Sequence, residues 1–381
     1  MIEGMIKTPF FVVDEEKLLY NLRILKTVRE KSGCKILLSQ KAFSMYSTYP
    51  IISKYLDGTS ASGYCEAKLS DEYFEGENHV YEAAFSDDEF PEICQMCDHI
   101  VFNSLSQLER HREVWELAKS EKELHIGIRI NPEFRTHELN EVYDPCAPGS
   151  RFGIRKDIFN NMIPEGVDGI HFHALCEQNF EPLHNIFRNI ETNFGWMLKS
   201  DQIKWINLGG GHHITRDDYD IISLINFIRE IKVKYHLDVY MEPGEAVAID
   251  AGRLVTTVLD IVEASDMNVI IVDASASCHM PDVVEMPYRP PIKNAGEKGE
   301  KKYTYRVASK SCLAGDVMGF YSFDNEIQIG DKLEFEDMAM YSMVKTNTFN
   351  GMKLPTIAYK KMNGDCQIVK EFGYEDFKSR L

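Results

Sequence analysis

The sequence lacks any apolar run that approaches the roughly 20 residues needed to cross a bilayer, so we expect no contact with a membrane. Its first eleven residues have neither the charged segment nor the apolar core of a signal peptide, which favours a cytoplasmic location. Basic residues are in deficit, because 42 Lys and Arg stand against 60 Asp and Glu, a formal net charge of −18. An acidic surface repels phosphate backbones, so nucleic acid is not an expected partner, whereas a small cationic substrate would be attracted.

Metal and disulfide signals are also scarce. The nine cysteines are an odd number in a chain without a recognisable signal peptide, which indicates reduced thiols. Cys94-Gln-Met-Cys97 is a single CxxC with no second pair at zinc-like spacing. The histidine pairs His171/His173 and His212/His213 come without an HExxH motif or a carboxylate triad. We therefore predict no metal site.

Strand-like and helical patterns alternate over the first two-thirds of the 381 residues. A helix is predicted at 15–30, and others at 106–118 and 219–231. Eight apolar strand segments are predicted, at 35–40, 55–59, 80–85, 100–103, 125–129, 169–173, 205–208 and 238–241. Eight strand–helix units predict a parallel sheet that closes into a (β/α)8 barrel of the TIM type; an open doubly wound sheet is the alternative.

The pattern changes after about residue 246. β-Branched and aromatic runs at 255–262, 269–273, 303–308 and 332–344 are separated by turns, without long helical periods. This predicts a second, mainly antiparallel β domain. We expect the barrel to span residues 15–246 and the β domain to combine residues 1–14 with 247–381.

Polar residues end or follow six of the eight predicted strands, and catalytic groups of such barrels lie at these carboxyl ends. They are Lys41, Thr59–Ser62, Arg129, His171–His173, Gly209–His213 and Glu242–Glu245. A partly desolvated lysine has a lowered pKa and suits a covalent imine, although Lys41 could be an ordinary lysine at a strand end. Gly209–Gly211 suits a phosphate or is simply a flexible turn. Glu242 could pair with a protonated pyridine nitrogen and His173 could stack on a ring, or both could be structural.

These pieces, in this order, resemble the fold-type III pyridoxal-phosphate decarboxylases, which include ornithine and diaminopimelate decarboxylases. Three further segments are similar to segments of that family: Thr8-Pro-Phe-Phe-Val-Val-Asp14, Ser311-Cys-Leu-Ala-Gly-Asp316, and Tyr341 together with Thr348-Phe-Asn-Gly351. The resemblance covers nearly the whole chain. It implies a barrel followed by an antiparallel β domain, with pyridoxal 5'-phosphate as the cofactor.

Four segments are similar to the branch of this family that decarboxylates carboxynorspermidine and carboxyspermidine to norspermidine and spermidine. They are Leu208–Thr215, Glu242–Ala246, His279–Asp282 and Ser311–Asp316. The ornithine and diaminopimelate branches usually carry a phosphate-binding arginine after Glu-Pro-Gly, where this chain has Glu245. A carboxylate at that position suits a substrate with additional ammonium groups.

The resemblance assigns a role to each candidate residue. Lys41 binds the cofactor covalently, His173 stacks on its ring, and Glu242 keeps the ring nitrogen protonated. Gly209, Gly210, Gly211 and Tyr341 hold the phosphate in place of the missing arginine. Glu245, Asp282 and Asp316 bind the ammonium groups of the substrate. Cys312 protonates Cα from the partner subunit of a homodimer whose active sites are shared.

Other functions stay open on the sequence. An ornithine- or diaminopimelate-type decarboxylase is the nearest alternative. A non-catalytic paralogue that binds pyridoxal phosphate is another, although such paralogues tend to lose the lysine or the cysteine, and both Lys41 and Cys312 are present. A metal-dependent barrel hydrolase would instead contain zinc.

Overall fold

The computed structural model describes residues 3–135 and 144–381 of the chain. Two compact units are present, one comprising Asn21–Val247 and the other combining Met1–Tyr20 with Ala248–Leu381. The boundaries between the two units therefore lie after Tyr20, within the first long helix, and after Val247. The sequence predicted these boundaries after residues 14 and 246.

The first unit contains a closed barrel of eight parallel strands, β2 to β9, each paired with the next and β9 with β2. The predicted (β/α)8 barrel is thus confirmed, and the open sheet is wrong. The strands are β2 Lys35–Ser39, β3 Gly58–Ala61, β4 Glu77–Tyr81, β5 His99–Phe102, β6 His125–Arg129, β7 Gly169–His171, β8 Trp205–Asn207 and β9 Asp238–Met241.

Helices surround these strands in sequence. They are α1 Glu15–Ser32, α2 Tyr49–Ile52, α3 Tyr64–Tyr73, α4 Phe90–Met96, α5 Leu105–Arg110, α6 Arg112–Glu121, α7 Phe180–Leu198, α8 Ile221–Tyr235 and α9 Glu245–Ala248. The helix predicted at 106–118 is two helices, because the backbone leaves helical angles at His111 (φ −98°, ψ 8°). The His111 ring is buried there against Phe90, with ring centroids 4.3 Å apart.

The ring of Trp205 packs against glycines of two neighbouring barrel strands. Trp205 on β8 is buried, and a Cβ added at Gly127 or Gly169 would come within 2.4 Å or 1.8 Å of its ring. Glycine on the two preceding strands, β6 and β7, therefore makes room for the indole. Such complementary packing of large and small side chains is how a closed barrel avoids a central void.

Two barrel strands begin three residues away from the predicted positions. The strand expected at 80–85 is β4, Glu77–Tyr81, and the strand expected at 55–59 is β3, Gly58–Ala61. Glu77 and His79 occupy the amino end of β4, where they contact each other, Lys35 and His99. A search for apolar runs misses such a polar strand end and shifts the strand along the chain.

The second unit is an eight-stranded sheet in the order β13-β12-β11-β10-β1-β15-β16, with β14 also paired to β10. Five strand pairs are antiparallel, whereas β1–β15 and β11–β12 are parallel, so the predicted mainly antiparallel domain is confirmed. The strands are β1 Phe10–Asp14, β10 Gly252–Glu263, β11 Asn268–Val272, β12 Tyr303–Ser309, β13 Val317–Phe323, β14 Lys332–Glu336, β15 Thr356–Lys360 and β16 Cys366–Lys370.

Short helical elements complete this unit. They are α10 Ala276–His279, α11 Asp282–Glu285, α12 Tyr374–Lys378 and 3-10 turns at Glu3–Met5, Met343–Lys345 and Phe349–Gly351; the barrel unit has further 3-10 turns at Tyr46–Thr48 and Lys156–Ile158. The run predicted at 332–344 ends as a strand at Glu336. Within the described ranges, no helix combines the length and apolarity needed to cross a membrane. All nine cysteines are free thiols.

Candidate active site

Four predicted site elements lie at the carboxyl ends of barrel strands. Lys41 is two residues beyond β2, His173 two residues beyond β7, and Gly209–Gly211 begins two residues beyond β8, while Glu242 directly follows β9. The strands are parallel, so these positions lie at the same end of the barrel. The structure therefore brings these four elements to one rim, where barrel enzymes place their active sites.

The backbone before Lys41 is tied to both neighbouring strands of the barrel. Ser39 donates its N–H to the carbonyl of Pro243 (3.0 Å), in the loop after β9. Gln40 donates its N–H to the carbonyl of Ser60 on β3 (3.1 Å). The position from which the Lys41 side chain leaves the backbone is therefore fixed.

The Lys41 side chain is accessible to solvent, but protein atoms crowd around its ammonium group. We call this partly enclosed position the recess. This crowding lowers the pKa of Lys41, and the guanidinium of Arg129 lowers it further. The carboxylates of Glu242 and Glu245 act in the opposite direction without reversing the shift. A lowered pKa makes the neutral, nucleophilic amine available at lower pH than for an exposed lysine.

Glu242 is held as an ionised carboxylate. Burial acts to raise its pKa, but the interactions with the adjacent His171 outweigh burial and place the pKa well below its usual value. Asn207 donates its side-chain N–H to Oε1 (2.7 Å), and Nε2 of His171 lies 3.4 Å from Oε2. Neither Asn207 nor His171 was assigned a role from sequence, yet Asn207 bonds the carboxylate and His171 lies beside it.

His173 is oriented by the glycine loop and by Arg129. Its Nδ1 accepts the N–H of Gly210 (3.1 Å), and its carbonyl accepts Nη2 of Arg129 (3.0 Å). Burial lowers the pKa of His173 well below its usual value, and the positive charges of Lys41 and Arg129 add to this effect. The imidazole is therefore neutral, with its proton on Nε2, because Nδ1 is an acceptor.

The glycine loop is packed closely against two other rim loops. A Cβ at Gly209 would lie 2.4 Å from the carbonyl oxygen of Phe172, at Gly210 2.2 Å from that of Glu242, and at Gly211 1.9 Å from that of Leu175. Gly209 and Gly211 also have positive φ (72° and 83°), which favours glycine. The N–H of Gly209 donates to Oδ1 of Asn207 (2.9 Å), and that of Gly210 to His173. Two of the three N–H groups predicted to face a phosphate are thus bonded within the protein.

Glu245 contacts a histidine of the glycine loop. Nε2 of His213 lies 2.7 Å from Oε2 of Glu245, and both side chains are largely buried. Glu245 also acts electrostatically on Lys41, which places its carboxylate near the recess. Sequence reasoning named His213 only as half of a possible metal pair, and the structure instead makes it the partner of a carboxylate.

Arg129 is the cation that sequence reasoning placed on the rim without a role. Its guanidinium lies between the rings of Tyr81 and Phe152, 4.6 Å and 4.8 Å from their centroids, and is buried. Stacking between two rings fixes a guanidinium and leaves its charge acting on the neighbouring Lys41 and His173. The signal that could have identified it was its position at the end of β6.

The other predicted site residues belong to the sheet unit. Cys312 is exposed, and its backbone N–H donates to Oδ1 of Asn350 (2.8 Å). Asn350 has a positive φ of 58° within Thr348–Gly351. The segment Ser311–Asp316 and the segment Thr348–Gly351, which are separated along the chain, are therefore joined at the cysteine.

The carboxylate of Asp316 accepts several hydrogen bonds from residues of the sheet unit, whereas the sequence predicted that it contacts the substrate. It is 2% exposed and accepts hydrogen bonds from the hydroxyls of Ser275 (2.7 Å), Ser277 (3.2 Å) and Ser311, and from the N–H of Ser277 (3.1 Å). Burial acts to raise its pKa, but the bonds from the serine hydroxyls hold it below its usual value. This bonding supports the loop that carries Cys312.

Asp282 and Tyr341 also lie in the sheet unit. Asp282 forms an ion pair with Lys345, whose ammonium also lies 2.7 Å from Glu285. The carboxylate of Asp282 thus already has a lysine partner, which it shares with Glu285. Tyr341 is half-buried and has a positive φ of 48°, two residues before the turn Met343–Lys345.

The single CxxC motif lies in the core. Cys94 and Cys97 are both buried at and just beyond the end of α4. Burial raises the pKa of Cys94 to about 12 and that of Cys97 further. Thiols in this state are poor ligands and poor nucleophiles, so both are structural.

A different group of histidines converges at the amino end of the barrel strands. Glu77, His79 and His99 place one possible ligand atom each within 4.8 Å of the others. However, the rings of His79 and His99 are stacked nearly parallel, at 3.9 Å and 7°, so their in-plane lone pairs cannot meet at one ion. Lys35 already pairs with Glu77. The arrangement is that of an ionic network in the barrel interior.

Comparisons with known proteins agree with this geometry. A carboxynorspermidine/carboxyspermidine decarboxylase of Campylobacter jejuni is 40% identical over the full length of both chains. A carboxyaminopropylagmatine decarboxylase of Synechocystis sp. is 39% identical over 98% of this chain and 95% of its own. The crystal structure of carboxynorspermidine decarboxylase from Campylobacter jejuni in complex with norspermidine superposes with a TM-score of 0.90 at 38% identity, over 99% of this chain and 100% of that one.

The family described as "Pyridoxal-dependent decarboxylase, C-terminal sheet domain" matches residues 10–339. That range includes the whole barrel and most of the sheet. Together with relatives at about 40% identity over the full length, it identifies the protein as a decarboxylase, and the chain belongs to the pyridoxal-dependent decarboxylase family.

Proposed function

We propose that the protein decarboxylates carboxynorspermidine, carboxyspermidine or both, with pyridoxal 5'-phosphate as cofactor, to give norspermidine and spermidine. The observation that carries the reaction type is the ionised Glu242 at the same barrel rim as Lys41, whose amine has a lowered pKa. The substrate class rests on the 40% identity to a carboxynorspermidine/carboxyspermidine decarboxylase over the full length of both chains.

The residues on the rim fit the cofactor. Lys41 supplies an amine for the aldehyde, Glu242 an anionic acceptor for the ring nitrogen, and His173 a neutral imidazole that can stack on the ring. His171 is 1% exposed, and neither of its ring nitrogens has a hydrogen-bond partner within the described residues, although Glu242 lies 3.4 Å away. Bound pyridoxal phosphate supplies an electron sink for the electron pair left on Cα when CO2 departs.

The protein's own groups control where protons reside. Glu242 would accept a hydrogen bond from the protonated ring nitrogen and so keep the proton on that nitrogen, because Asn207 and His171 stabilise the charged form of the carboxylate. Arg129 and crowding keep the Lys41 amine in a state that can react. His173, held neutral, adds no positive charge beside the ring.

The phosphate end has fewer donors than the sequence predicted. Gly209 and Gly210 use their N–H groups inside the protein, so their part is to let the loop approach closely. The N–H of Gly211 and the side chain of Tyr341 are the predicted phosphate contacts that we retain. Their placement beside the cofactor stays a prediction.

Among the predicted substrate ligands, we favour Glu245. The bond from His213 fixes Oε2 of its carboxylate, and we assign the other oxygen to an ammonium group of the substrate. A charge-assisted hydrogen bond of this kind contributes about 1.5–3 kcal/mol. We reassign Asp316 to the support of the Cys312 loop, and Asp282 could serve only if the substrate displaced Lys345.

Cys312 is proposed as the donor that protonates Cα. Its exposed position and its bond to Asn350 present the thiol on the surface of the sheet unit. In a homodimer with shared active sites, the partner's copy of this thiol would complete the site. The dimer and the cytoplasmic location expected from the sequence both stay predictions.

One experiment separates the substrates. The purified protein with added pyridoxal phosphate is assayed for CO2 release and product formation with carboxynorspermidine, carboxyspermidine, carboxyaminopropylagmatine, ornithine and meso-diaminopimelate. We expect turnover of the first two to exceed that of ornithine and diaminopimelate. Preference for ornithine or diaminopimelate would contradict the proposal, as would cofactor binding without turnover of any of them.

Carboxyaminopropylagmatine is included because a relative that acts on it, by its name, is 39% identical, almost as similar as the carboxynorspermidine relative. It ends in a guanidinium in place of a primary ammonium group. A clear preference for it would retain the mechanism and change the substrate. The choice between carboxynorspermidine and carboxyspermidine depends on one methylene, a difference typically worth about 1–3 kcal/mol.

A further inference from the structure

A buried amide joins the two parts of the rim that would hold opposite ends of the cofactor. Asn207, the last residue of β8, is 0% exposed. Its Nδ2 donates to Oε1 of Glu242 (2.7 Å), and its Oδ1 accepts the N–H of Gly209 (2.9 Å). One side chain therefore contacts both the acid at the ring nitrogen and the first residue of the glycine loop.

The two partners determine which way the amide faces. A backbone N–H can only donate, so Gly209 requires the oxygen of Asn207. An ionised carboxylate can only accept, so Glu242 requires the NH2 group. The two contacts support each other, because turning the amide over would lose both bonds at once.

The backbone reinforces this connection. Glu242 donates its N–H to the carbonyl of Gly209 (2.9 Å), and Gly210 has no room for a Cβ, which would lie 2.2 Å from the carbonyl oxygen of Glu242. The loop after β8 and the turn after β9 are therefore bonded directly to each other. Asn207 is the side chain that joins the carboxylate itself to the glycine loop.

We propose that Asn207 is a positioning residue. It keeps the Glu242 carboxylate ionised and oriented towards the ring nitrogen, and it couples this carboxylate to the glycine loop at the phosphate end. This inference rests on the proposed function, since it assigns Glu242 to the ring nitrogen. The donor stabilises the charged form of Glu242, as a hydrogen bond to a carboxylate generally does. A purely structural amide would instead only satisfy its own buried polar atoms.

Asn207→Asp tests one end of the amide. The retained oxygen still accepts the N–H of Gly209, but a second carboxylate oxygen now faces Oε1 of Glu242. Two such oxygens must share a proton, which weakens the acceptor at the ring nitrogen. We expect kcat to fall at least about 10-fold with KM changed by less than about threefold, and the pH dependence of the bound cofactor's absorption to shift by about one unit.

Asn207→Ser tests the other end without adding charge. The shorter hydroxyl cannot reach both partners, so the glycine loop loses its anchor as well. Pyridoxal phosphate titrated into the apoprotein should bind about 10-fold more weakly to this variant than to the wild type. In Asn207→Asp the affinity should stay within about threefold of the wild type, because the Gly209 contact is kept.

A reciprocal exchange separates positioning from stability. In the double variant N207D/E242Q, the amide and the carboxylate change places, and the bond between them can form again with reversed polarity. We expect the thermal midpoint of its apoprotein to recover relative to N207D. Its cofactor absorption and activity should remain those of E242Q, because no carboxylate then faces the ring nitrogen.

The outcomes are distinct. If N207D has wild-type kcat and a wild-type pH dependence of cofactor absorption, the positioning role is wrong while the proposed function stands. Recovery of activity together with stability in N207D/E242Q would likewise overturn it. If N207D does not fold, the same absorption and kcat measurements on N207S test the positioning role of Asn207. Failure of the wild-type protein to bind pyridoxal phosphate would instead overturn the proposed function.

Discussion

Nε2 of His213 lies 2.7 Å from Oε2 of Glu245, so the glycine loop itself holds the carboxylate that follows Glu-Pro-Gly. Nδ1 of His213 is buried and has no hydrogen-bond partner among the described residues. A carboxylate accepts hydrogen bonds, so Nε2 of His213 is the donor of this bond.

Glu245→Gln should weaken the carboxypolyamine substrates and leave the cofactor in place. Removing one charge-assisted bond to an ammonium group costs about 1.5–3 kcal/mol, so we expect KM for carboxynorspermidine to rise at least about 10-fold. Steady-state kinetics and titration of the apoprotein with pyridoxal phosphate measure the two effects. His213→Asn, which loosens the carboxylate but keeps its charge, should give a smaller increase in KM.

The control for this prediction is Glu230→Gln, which removes an exposed carboxylate of α8 and should change neither quantity. Equal losses of substrate and cofactor affinity in Glu245→Gln would show that Glu245 acts at the phosphate end. That result would contradict its assignment to the substrate.

Lys41→Ala should abolish the visible absorption of the bound cofactor and lower activity at least about 10³-fold, because no other amine would form the covalent bond. Absorption spectra of the purified protein after dialysis against pyridoxal phosphate measure the first effect. Lys35→Ala is the matched control, since Lys35 begins the same strand and pairs with Glu77 at the opposite end of the barrel.

The Lys35 variant should lose some stability but keep the absorption band. A band that survives in the Lys41 variant would remove Lys41 from its role. A band that disappears from both variants would indicate a general failure of the barrel to fold.

Mixing two inactive variants tests whether active sites are shared between subunits. If Cys312 acts in the partner's site, hybrids of Lys41→Ala and Cys312→Ala chains contain one site with both native residues. Random exchange between equal amounts gives about half hybrids, each with one of its two sites intact, so about a quarter of wild-type activity should return.

Cys65→Ala, which removes another exposed thiol, is the control and should be as active as the wild type on its own. No recovery in the mixture, while size-exclusion chromatography shows that hybrids have formed, would contradict a shared site. A monomeric wild-type protein would contradict it more directly.

The ionic network at the amino end of the barrel should make stability depend on pH in acid. Burial acts to raise the pKa of Glu77, but hydrogen bonds from His79 and Lys35 outweigh it and lower the pKa from 4.5 to about 2. Because the folded pKa is depressed, the ionised carboxylate stabilises the fold above about pH 4.5, and this contribution is lost as pH falls towards 2.

Glu77→Gln should therefore destabilise the protein by about 3 kcal/mol at pH 7, and the difference from the wild type should shrink below about pH 4.5. Denaturant unfolding of both proteins at pH 7, 5, 4 and 3 measures it. A difference that is the same at every pH would mean that Glu77 contributes through packing and not through its charge.

Most of the barrel strands could be predicted from the local pattern of apolar and polar residues. All eight of its strands were predicted near their true positions, because each apolar run is flanked by helical periodicity and turn residues. The errors occur where tertiary contacts replace the usual pattern, as in β4, which begins with Glu77 and His79. In the sheet unit β1, β13, β15 and β16 were not predicted as strands. Phe10–Asp14 becomes a strand by pairing with β10 and β15 from the other end of the chain.

The local order of residues along the chain specifies which chemical groups stand at the carboxyl ends of the barrel strands. The sequence therefore placed Lys41, His173, Gly209–Gly211 and Glu242 on one rim. Which of those groups are free to act depends on contacts between loops that are distant along the chain. The bonds Asn207–Glu242 and His213–Glu245 join residues 35 and 32 positions apart, and the saturation of Asp316 depends on serines up to 41 positions away. Such pairings arise when the closed barrel and the sheet bring separate loops into contact, and no local pattern encodes them.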